Sequence, residues 1–225
     1  MEYTKNGVTR VSRRNFVMGA ATAGMAVATM GATAHAEESA DGMCPVLMNR
    51  QTLHGLEDSN YDPEQLITDE QIEMLLRAGL SAPSAVGATT LELVVVTDRD
   101  AMLPIIENNG NANELNTCPL LICIVEHDDE ETGHPRFYQY DSGMAAMAMQ
   151  VQASYMGIAN CVMSMKDSDK EGNAIAYPTL GITEDVTDYH VQLMVSFGYP
   201  AVDAVTSASV DNYVPEHVHT ATIEG

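Results

Sequence analysis

The chain has 225 residues, of which 32 are acidic and only 10 basic, and its formal net charge is −22 at pH 7. A surface this acidic repels nucleic acids and anionic lipid headgroups, so the composition argues against a polynucleotide-binding protein. The chain has four cysteines but no C-x-x-C pair, and this excludes a C-x-x-C-H haem attachment site.

The first 36 residues predict a cleaved export signal. The motif S-R-R-N-F-V-M at 12–18 contains paired arginines, which are typical of the twin-arginine route. An apolar run over 16–34 follows, and Ala34-His35-Ala36 forms a small-x-small cleavage site. The run is poor in Leu and Ile, so we expect cleavage rather than a stable membrane anchor. The mature protein is therefore expected in the periplasm or another extracytoplasmic space. The twin-arginine route carries folded proteins, often with a cofactor already bound.

Cleavage after Ala36 would leave 189 residues, a size that suits one domain with a real core. The leader holds four of the ten basic residues and one of the 32 acids, so the remainder has six basic and 31 acidic residues, a formal charge of −25. Residues 37–47 are predicted to be a flexible leader, and residues 48–225 the folded domain. We interpret the charge as a solubility adaptation; docking to a basic partner is the alternative.

The first half of this domain predicts a helix, a strand and a second helix. Thr68 with Gln71 three residues later forms a capping-box pattern, and apolar residues at helical spacing follow until Ser81. The stretch LELVVVT at 91–97 is rich in β-branched residues and predicts a strand. A short helix is expected over 101–108.

The second half predicts three strands around one long helix. The stretch PLLICIVE at 119–126 is continuously apolar, which is typical of a strand buried on both faces. Residues 140–156, rich in Ala, Met and Gln, predict the helix, and strands are expected over 160–165 and 191–197. Cys118 and Cys123 are expected to be buried thiols on opposite faces of the first of these strands. Helices and strands interleave, so the class is α with β in one layered domain.

Three segments carry a resemblance to a known family. Residues 72–97 (IEMLLRAGLSAPSAVGATTLELVVVT) contain a helix, an A-P-S-A turn and a V-V-V-T strand. Residues 140–163 (YDSGMAAMAMQVQASYMGIANCVM) form an Ala-rich helix that leads into a strand. Leu-Gly-Ile at 180–182 is followed by Gly-Tyr-Pro at 198–200. In this order the segments resemble the nitroreductase family of flavin enzymes.

The resemblance implies an α+β nitroreductase-like fold, with a central mixed sheet flanked by helices and an intertwined homodimer. It also implies two FMN molecules at the dimer interface, each held by both subunits. The implied reaction is a two-electron reduction of a nitro, quinone or similar electron-poor acceptor, with NAD(P)H or another reduced carrier as donor. The alternative is a non-catalytic protein of the same fold that binds a flavin or another small ligand.

One matching segment implies a phosphate site. The family's R-R-S-x-R motif corresponds to Arg50-Gln51-Thr52-Leu53-His54. Arg50 matches the first arginine, whose forked guanidinium suits a phosphate. Thr52 keeps a hydroxyl donor, Gln51 offers an amide, and His54 replaces the last basic residue.

A second matching segment implies contacts to the flavin ring. Pro83, Ser84 and Ala85 match the turn that lines the flavin of the partner subunit. The family's Asn after this turn is absent, and backbone groups at Gly87 are the expected substitute. No Lys or Arg follows Gly-Tyr-Pro at 198–200, where the family often has one. No catalytic side chain is assigned.

Two other groups of residues could have a functional role. His217 and His219, with His190, lack a completing ligand pattern, so no metal site is predicted. Tyr138 and Tyr140 either line a flavin or substrate or pack within a loop, and the sequence leaves both open.

Overall fold

The computed structural model describes residues 2–3, 8–12, 44–53, 61–85, 90–109, 116–127, 137–164, 189–202, 204, 207–208 and 215–217. These residues form one eight-stranded sheet with helices on both faces. The elements in chain order are β1 (Glu2–Tyr3), β2 (Val8–Ser12), α1 (Pro45–Met48), β3 (Gln51–Thr52), α2 (Asp69–Leu80), β4 (Leu91–Val96), α3 (Arg99–Asn109), β5 (Leu120–His127), α4 (Tyr138–Tyr155), β6 (Ala159–Ser164), β7 (Tyr189–Gly198), β8 (Ser207–Ala208) and a 3₁₀ turn (Pro215–His217).

The sheet is mixed, as the resemblance implied. Its strand order is β1-β2-β4-β5-β7-β6-β3-β8, and every pair is antiparallel except β3 with β6. Strand β5 lies in the interior and pairs with β4 and β7 over nearly its whole length. Residues 120–125 of β5 are at most 1% exposed, which confirms the prediction of a strand buried on both faces.

Helices α2 and α4 cover one face of the sheet. Because side chains alternate along a strand, Leu91, Leu93 and Val95 of β4 all point to this face. They pack with leucines of α2 and with the small side chains of α4, including Ala145 and Ala153. Small residues let a long helix lie close to the sheet. Helix α4 ends at Tyr155, and Gly157 follows two residues later with a φ of 71°, the left-handed conformation that glycine adopts without strain.

Helix α3 covers the other face. Its Met102 and Ile105 pack against Val94 and Val96 of β4. Cys118 and Cys123 are both buried, which confirms that they are buried thiols, but the prediction of opposite faces was wrong. Cys118 precedes β5 rather than belonging to it, so strand alternation does not apply, and both thiols lie in the cluster beneath α3. Burial, with a smaller contribution from Cys118, raises the pKa of Cys123 to about 12.

The start of α2 shows the predicted capping box. The Gln71 backbone N–H donates to Thr68 Oγ1 at 3.3 Å, and the Thr68 backbone N–H donates to Gln71 Oε1 at 3.0 Å. These two bonds satisfy groups that the helix start would otherwise leave without partners. The Gln71 side chain also donates to the Tyr199 hydroxyl at 2.8 Å, which links the helix to the end of β7.

The N-terminal strands β1 and β2 were not predicted. Residues 8–12 pair antiparallel with residues 92–96 of β4, in the register Val8 with Val96. Both strands lie inside the predicted leader, so cleavage after Ala36 would remove them and leave β4 at the edge of the sheet. Residues 13–43, which carry the paired arginines and the apolar run, lie outside the described residues. Among the helices that the structure describes, none is long and apolar enough to cross a membrane.

Gly198 at the end of β7 is a position where a side chain does not fit. A Cβ there would lie 2.8 Å from Tyr61 Cγ and 2.9 Å from Pro119 Cδ, and both belong to rigid rings. We expect Gly198→Ala to lower the free energy of unfolding by about 1–3 kcal/mol or more, because overpacking forces neighbours to shift. Gly143→Ala is the control, since a Cβ there meets nothing within 4 Å and alanine favours the helix. Denaturant unfolding at one protein concentration measures both; equal stability of the two variants would contradict the packing described.

Candidate functional site

The turn Pro83–Ala85 lies against the start of α4. The Ala85 backbone N–H donates to both carboxylate oxygens of Asp141, at 3.0 and 3.2 Å. Asp141 is 6% exposed, so water competes little for this contact. Pro83 is exposed, and Ser84 and Ala85 are half-buried. The turn is therefore held by its backbone while its outer surface stays accessible.

A second buried carboxylate is hydrogen-bonded to Ser142, the residue that follows Asp141 in α4. Glu126 at the end of β5 is fully buried and accepts a hydrogen bond from Thr90 Oγ1 at 2.9 Å. It also accepts one from Ser142 Oγ at 3.3 Å. A buried carboxylate is costly unless it is hydrogen-bonded, and here hydroxyl groups from two different elements supply the donors.

Three of the residues predicted to bind phosphate lie at β3, where Arg50 directly precedes the strand and Gln51 and Thr52 form it. Arg50 Nη1 donates to Thr52 Oγ1 at 2.6 Å, and both residues are half-buried. Thr52 pairs in parallel with Asn160 of β6, and the Leu53 N–H donates to the Asn160 carbonyl at 3.1 Å. The Asn160 side chain in turn accepts from Gln150 Nε2 at 2.6 Å. Arg50 and Thr52 are thus fixed through β6 to the second half of α4.

The two predicted halves of the site lie near opposite ends of α4. The turn contacts Asp141, in the first turn of this 18-residue helix. Near its other end Ser154 Oγ donates to the Val46 carbonyl at 2.7 Å, four residues before Arg50. At about 1.5 Å per residue, Asp141 and Ser154 are roughly 20 Å apart. Among the residues that the structure describes, the segment at Arg50 and the turn Pro83–Ala85 are therefore attached near opposite ends of α4.

One side of α4 carries an exposed apolar stripe. The side chains of Tyr140, Met144, Met147 and Tyr155 are 68%, 45%, 42% and 53% exposed. Their spacing places them on one face of the helix. Tyr140 also packs its ring against Phe137 at 6.4 Å between centroids, whereas Tyr138 is buried at 3%. A continuous apolar stripe on an otherwise acidic protein indicates a surface that another molecule covers.

The structure describes most of the predicted site residues but not all. Gln51 pairs through its backbone with Ala208, and its side chain lies outside the described part. His54 and Gly87 also lie outside the described residues. Sequence reasoning missed Asp141 and Glu126. The available signals were an acid in the first turn of an otherwise apolar helix and a charged residue closing a continuously apolar strand.

A protein-family model and several known proteins match this chain. The model described as the nitroreductase family matches residues 58–108 and 103–199. A curated protein of Haemophilus influenzae named "Putative NAD(P)H nitroreductase" is 28% identical over 116 residues, which cover 49% of this chain and 52% of that protein. The chain therefore matches about half the length of that relative.

Solved structures share the fold. An FMN-dependent nitroreductase of Clostridium difficile has a TM-score of 0.64 at 24% identity, over 79% of this chain and 98% of its own. A Desulfovibrio desulfuricans protein solved in complex with FMN has a TM-score of 0.61 at 15% identity, over 80% of this chain and 96% of its own. These likenesses show the α+β fold, and the family model covers well over half of the sequence. The chain belongs to the nitroreductase family.

Proposed function

We propose that this protein is an exported, FMN-dependent oxidoreductase of the nitroreductase type. Its acceptor is a nitro compound, a quinone or a similar electron-poor molecule. The observation that carries the proposal is the pair of anchored elements at the two ends of α4. One is the accessible backbone turn Pro83–Ala85, and the other is the Arg50–Thr52 donor pair. Relatives named as nitroreductases and neighbours with FMN support the same assignment.

The donors on β3 fit the phosphate of FMN. The Arg50 guanidinium has five N–H donors in a fixed fork, and the contact to Thr52 occupies only part of them. Thr52 accepts from Arg50 and keeps its own hydroxyl hydrogen for donation. Among the residues that the structure describes, no carboxylate forms an ion pair with Arg50, although the chain is strongly acidic. A guanidinium group with such donors suits an anionic ligand.

A second copy of the chain would complete each site. The turn and the Arg50–Thr52 pair are too far apart in one chain to hold a single compact ligand, and α4 exposes its apolar stripe between them. Pairing two copies along this stripe would bury it. A two-fold interface also brings the start of one helix towards the end of its partner when the helices run antiparallel. We therefore propose a homodimer in which the partner's turn faces the phosphate donors of the first subunit.

The side chains described here bind and orient rather than react. When bound, FMN supplies the two-electron redox chemistry between a reduced donor and the acceptor. Arg50 and Thr52 would hold its phosphate, and the Pro83–Ala85 turn would hold the ring. The donor is NAD(P)H or another reduced carrier. NAD(P)H is scarce outside the cytoplasm, which favours another carrier for the exported form.

The activity is tested with purified, FMN-loaded protein under anaerobic conditions. NADH, NADPH and reduced benzyl viologen are supplied in turn, with a naphthoquinone or a nitrofuran as acceptor. We expect at least one donor to bleach the flavin absorbance and the acceptor to restore it over many cycles. Flavin that stays bound but is never reoxidised by either acceptor would instead support the non-catalytic binding protein.

Export is expected to depend on Arg13 and Arg14. The translocase of the twin-arginine route reads this pair, so replacing both with Lys should leave the precursor in the cytoplasm. Cell fractionation of a strain that expresses each form measures the result. Replacing Lys5 and Arg10 with Gln in the same leader is the control, and it should still be exported. Normal export of the double-lysine variant would refute the twin-arginine assignment.

A further inference from the structure

We propose that Asp141 is a positioning residue for the flavin-binding turn, and that Glu126 fixes the other flank of the same segment. This inference rests on the proposed function, because the turn matters only if it faces a flavin. Neither carboxylate is assigned a reaction step. Their role is to set where the backbone of Pro83–Ala85 stands relative to α4.

The first part of the argument concerns Ala85. Its N–H is shared between the two oxygens of one carboxylate, at 3.0 and 3.2 Å. A charge-assisted hydrogen bond in a nearly dry environment is stronger than a bond between neutral groups. The turn is therefore tied at a single backbone atom to a side chain that projects from a long helix. Removal of the carboxylate would leave this N–H without its partner.

The second part concerns the residue that follows Asp141. Ser142 donates to Glu126 Oε1, and Thr90 donates to Glu126 Oε2. Thr90 stands immediately before β4, on the far side of the segment that begins at Ala85. Asp141 and Ser142, which are consecutive in α4, therefore hold both flanks of the segment between Ala85 and Thr90. Asp141 contacts Ala85 directly, and Ser142 is linked to Thr90 through Glu126. Two separate links restrict the flanks more than either link does alone.

The third part concerns the helix itself. Helix α4 is packed on the sheet through Ala145, Met149 and Ala153, and it is tied near its end to α1 through Ser154. It also carries the apolar stripe, whose residues Tyr140 and Met144 flank Asp141 and Ser142 in the sequence of the helix. Any subunit that packs on this stripe would fix the position of Asp141. The turn would then be held in register with the partner's phosphate donors, as a binding site needs.

The experiment compares FMN binding by the apo forms of four variants. Asp141→Ala is expected to weaken FMN affinity on the order of tenfold and to raise the fluorescence of the bound flavin, because the ring is held less firmly. Asp141→Asn is expected to restore most of the affinity, since its amide oxygen still accepts from the Ala85 N–H. Ser196→Ala is the control, because it removes a buried hydrogen bond to the Tyr61 hydroxyl away from the turn.

The control separates positioning from stability. Ser196→Ala should lower the midpoint of unfolding by about as much as Asp141→Ala does. It should leave the FMN affinity and the fluorescence of the bound flavin unchanged. If Asp141→Ala binds FMN like Ser196→Ala, with the same fluorescence, the positioning role is overturned while the proposed function stands. If the unaltered protein binds no FMN at all, the proposed function fails and the inference fails with it. Thr90→Val removes the hydroxyl that donates to Glu126, and it should change FMN affinity and flavin fluorescence in the same direction as Asp141→Ala. If this variant keeps the wild-type affinity and fluorescence, Glu126 has no positioning role.

Discussion

Met147→Asp is expected to convert the proposed homodimer to a monomer that no longer retains FMN. Met147 lies in the centre of the apolar stripe of α4 and is 42% exposed in the single chain. In a two-fold dimer the substitution would bury two unpaired carboxylates, one from each copy. Burying an unpaired charge costs about 3–5 kcal/mol, so the dissociation constant should rise at least about a thousandfold. Light scattering coupled to size-exclusion chromatography measures the mass, and the visible spectrum measures retained flavin.

Leu103→Asp provides a closely matched control. Leu103 is also 42% exposed, but it lies on α3, on the opposite face of the sheet. The same change in charge, from an exposed apolar side chain to a carboxylate, should there leave both the proposed dimer and its flavin unchanged. A Met147→Asp protein that remains dimeric and yellow would show that the stripe is not the interface. Loss of the dimer in both variants would point to general destabilisation.

Arg50→Ala is expected to remove most of the FMN during purification while the dimer stays folded. Arg50 and Thr52 are the proposed phosphate donors, and the Arg50 guanidinium donates a hydrogen bond to the Thr52 hydroxyl. A hydrogen bond to a charged group contributes about 1.5–3 kcal/mol, which corresponds to roughly ten- to more than a hundredfold in affinity. The chain has no Lys or Arg after residue 200 to share this contact. Titration of apo protein with FMN, followed by flavin fluorescence, gives the two dissociation constants.

Arg77→Ala is the control for the loss of one positive charge. Arg77 lies on α2 and pairs with Glu73 of the same helix, and it was not assigned to the site. Its removal should change FMN affinity little, because an exposed ion pair within a helix contributes only a few tenths of a kcal/mol. Full flavin occupancy in Arg50→Ala would mean that the phosphate is held elsewhere and that the alignment of this motif is wrong.

The main elements of the fold were predictable because their signals are local. The capping box at Thr68 marked the start of α2 to the residue, and continuous apolar residues marked β5 as a strand with two covered faces. The short strands β2, β3 and β8 were not predictable. A strand of two to five residues is too short to show an alternating hydrophobic pattern. These strands form through pairing with residues far away in the sequence, such as Val8 with Val96.

Residues of the candidate site could be named from the sequence only where a family motif survives. Arg50, Thr52 and Pro83–Ala85 were found through the resemblance, and the structure places them in two anchored groups. Asp141 and Glu126 were missed because their importance comes from contacts 56 and 36 residues away in sequence, with Ala85 and Thr90. Neither the composition nor the hydrophobic periodicity of a sequence predicts contacts between residues so far apart along the chain. Acidic side chains are rarely buried unless they are paired, so the burial of Asp141 and Glu126 is explained by their hydrogen-bond partners.

The most direct test of the central claim is the flavin content of the mature protein. The chain is expressed in a host with a working twin-arginine system, and the exported form is purified. Its visible spectrum is recorded, and the released ligand is identified by mass analysis. We expect a yellow protein with one FMN per chain and two per dimer. A colourless dimer that takes up no added FMN, with no flavin in the released fraction, would contradict the account.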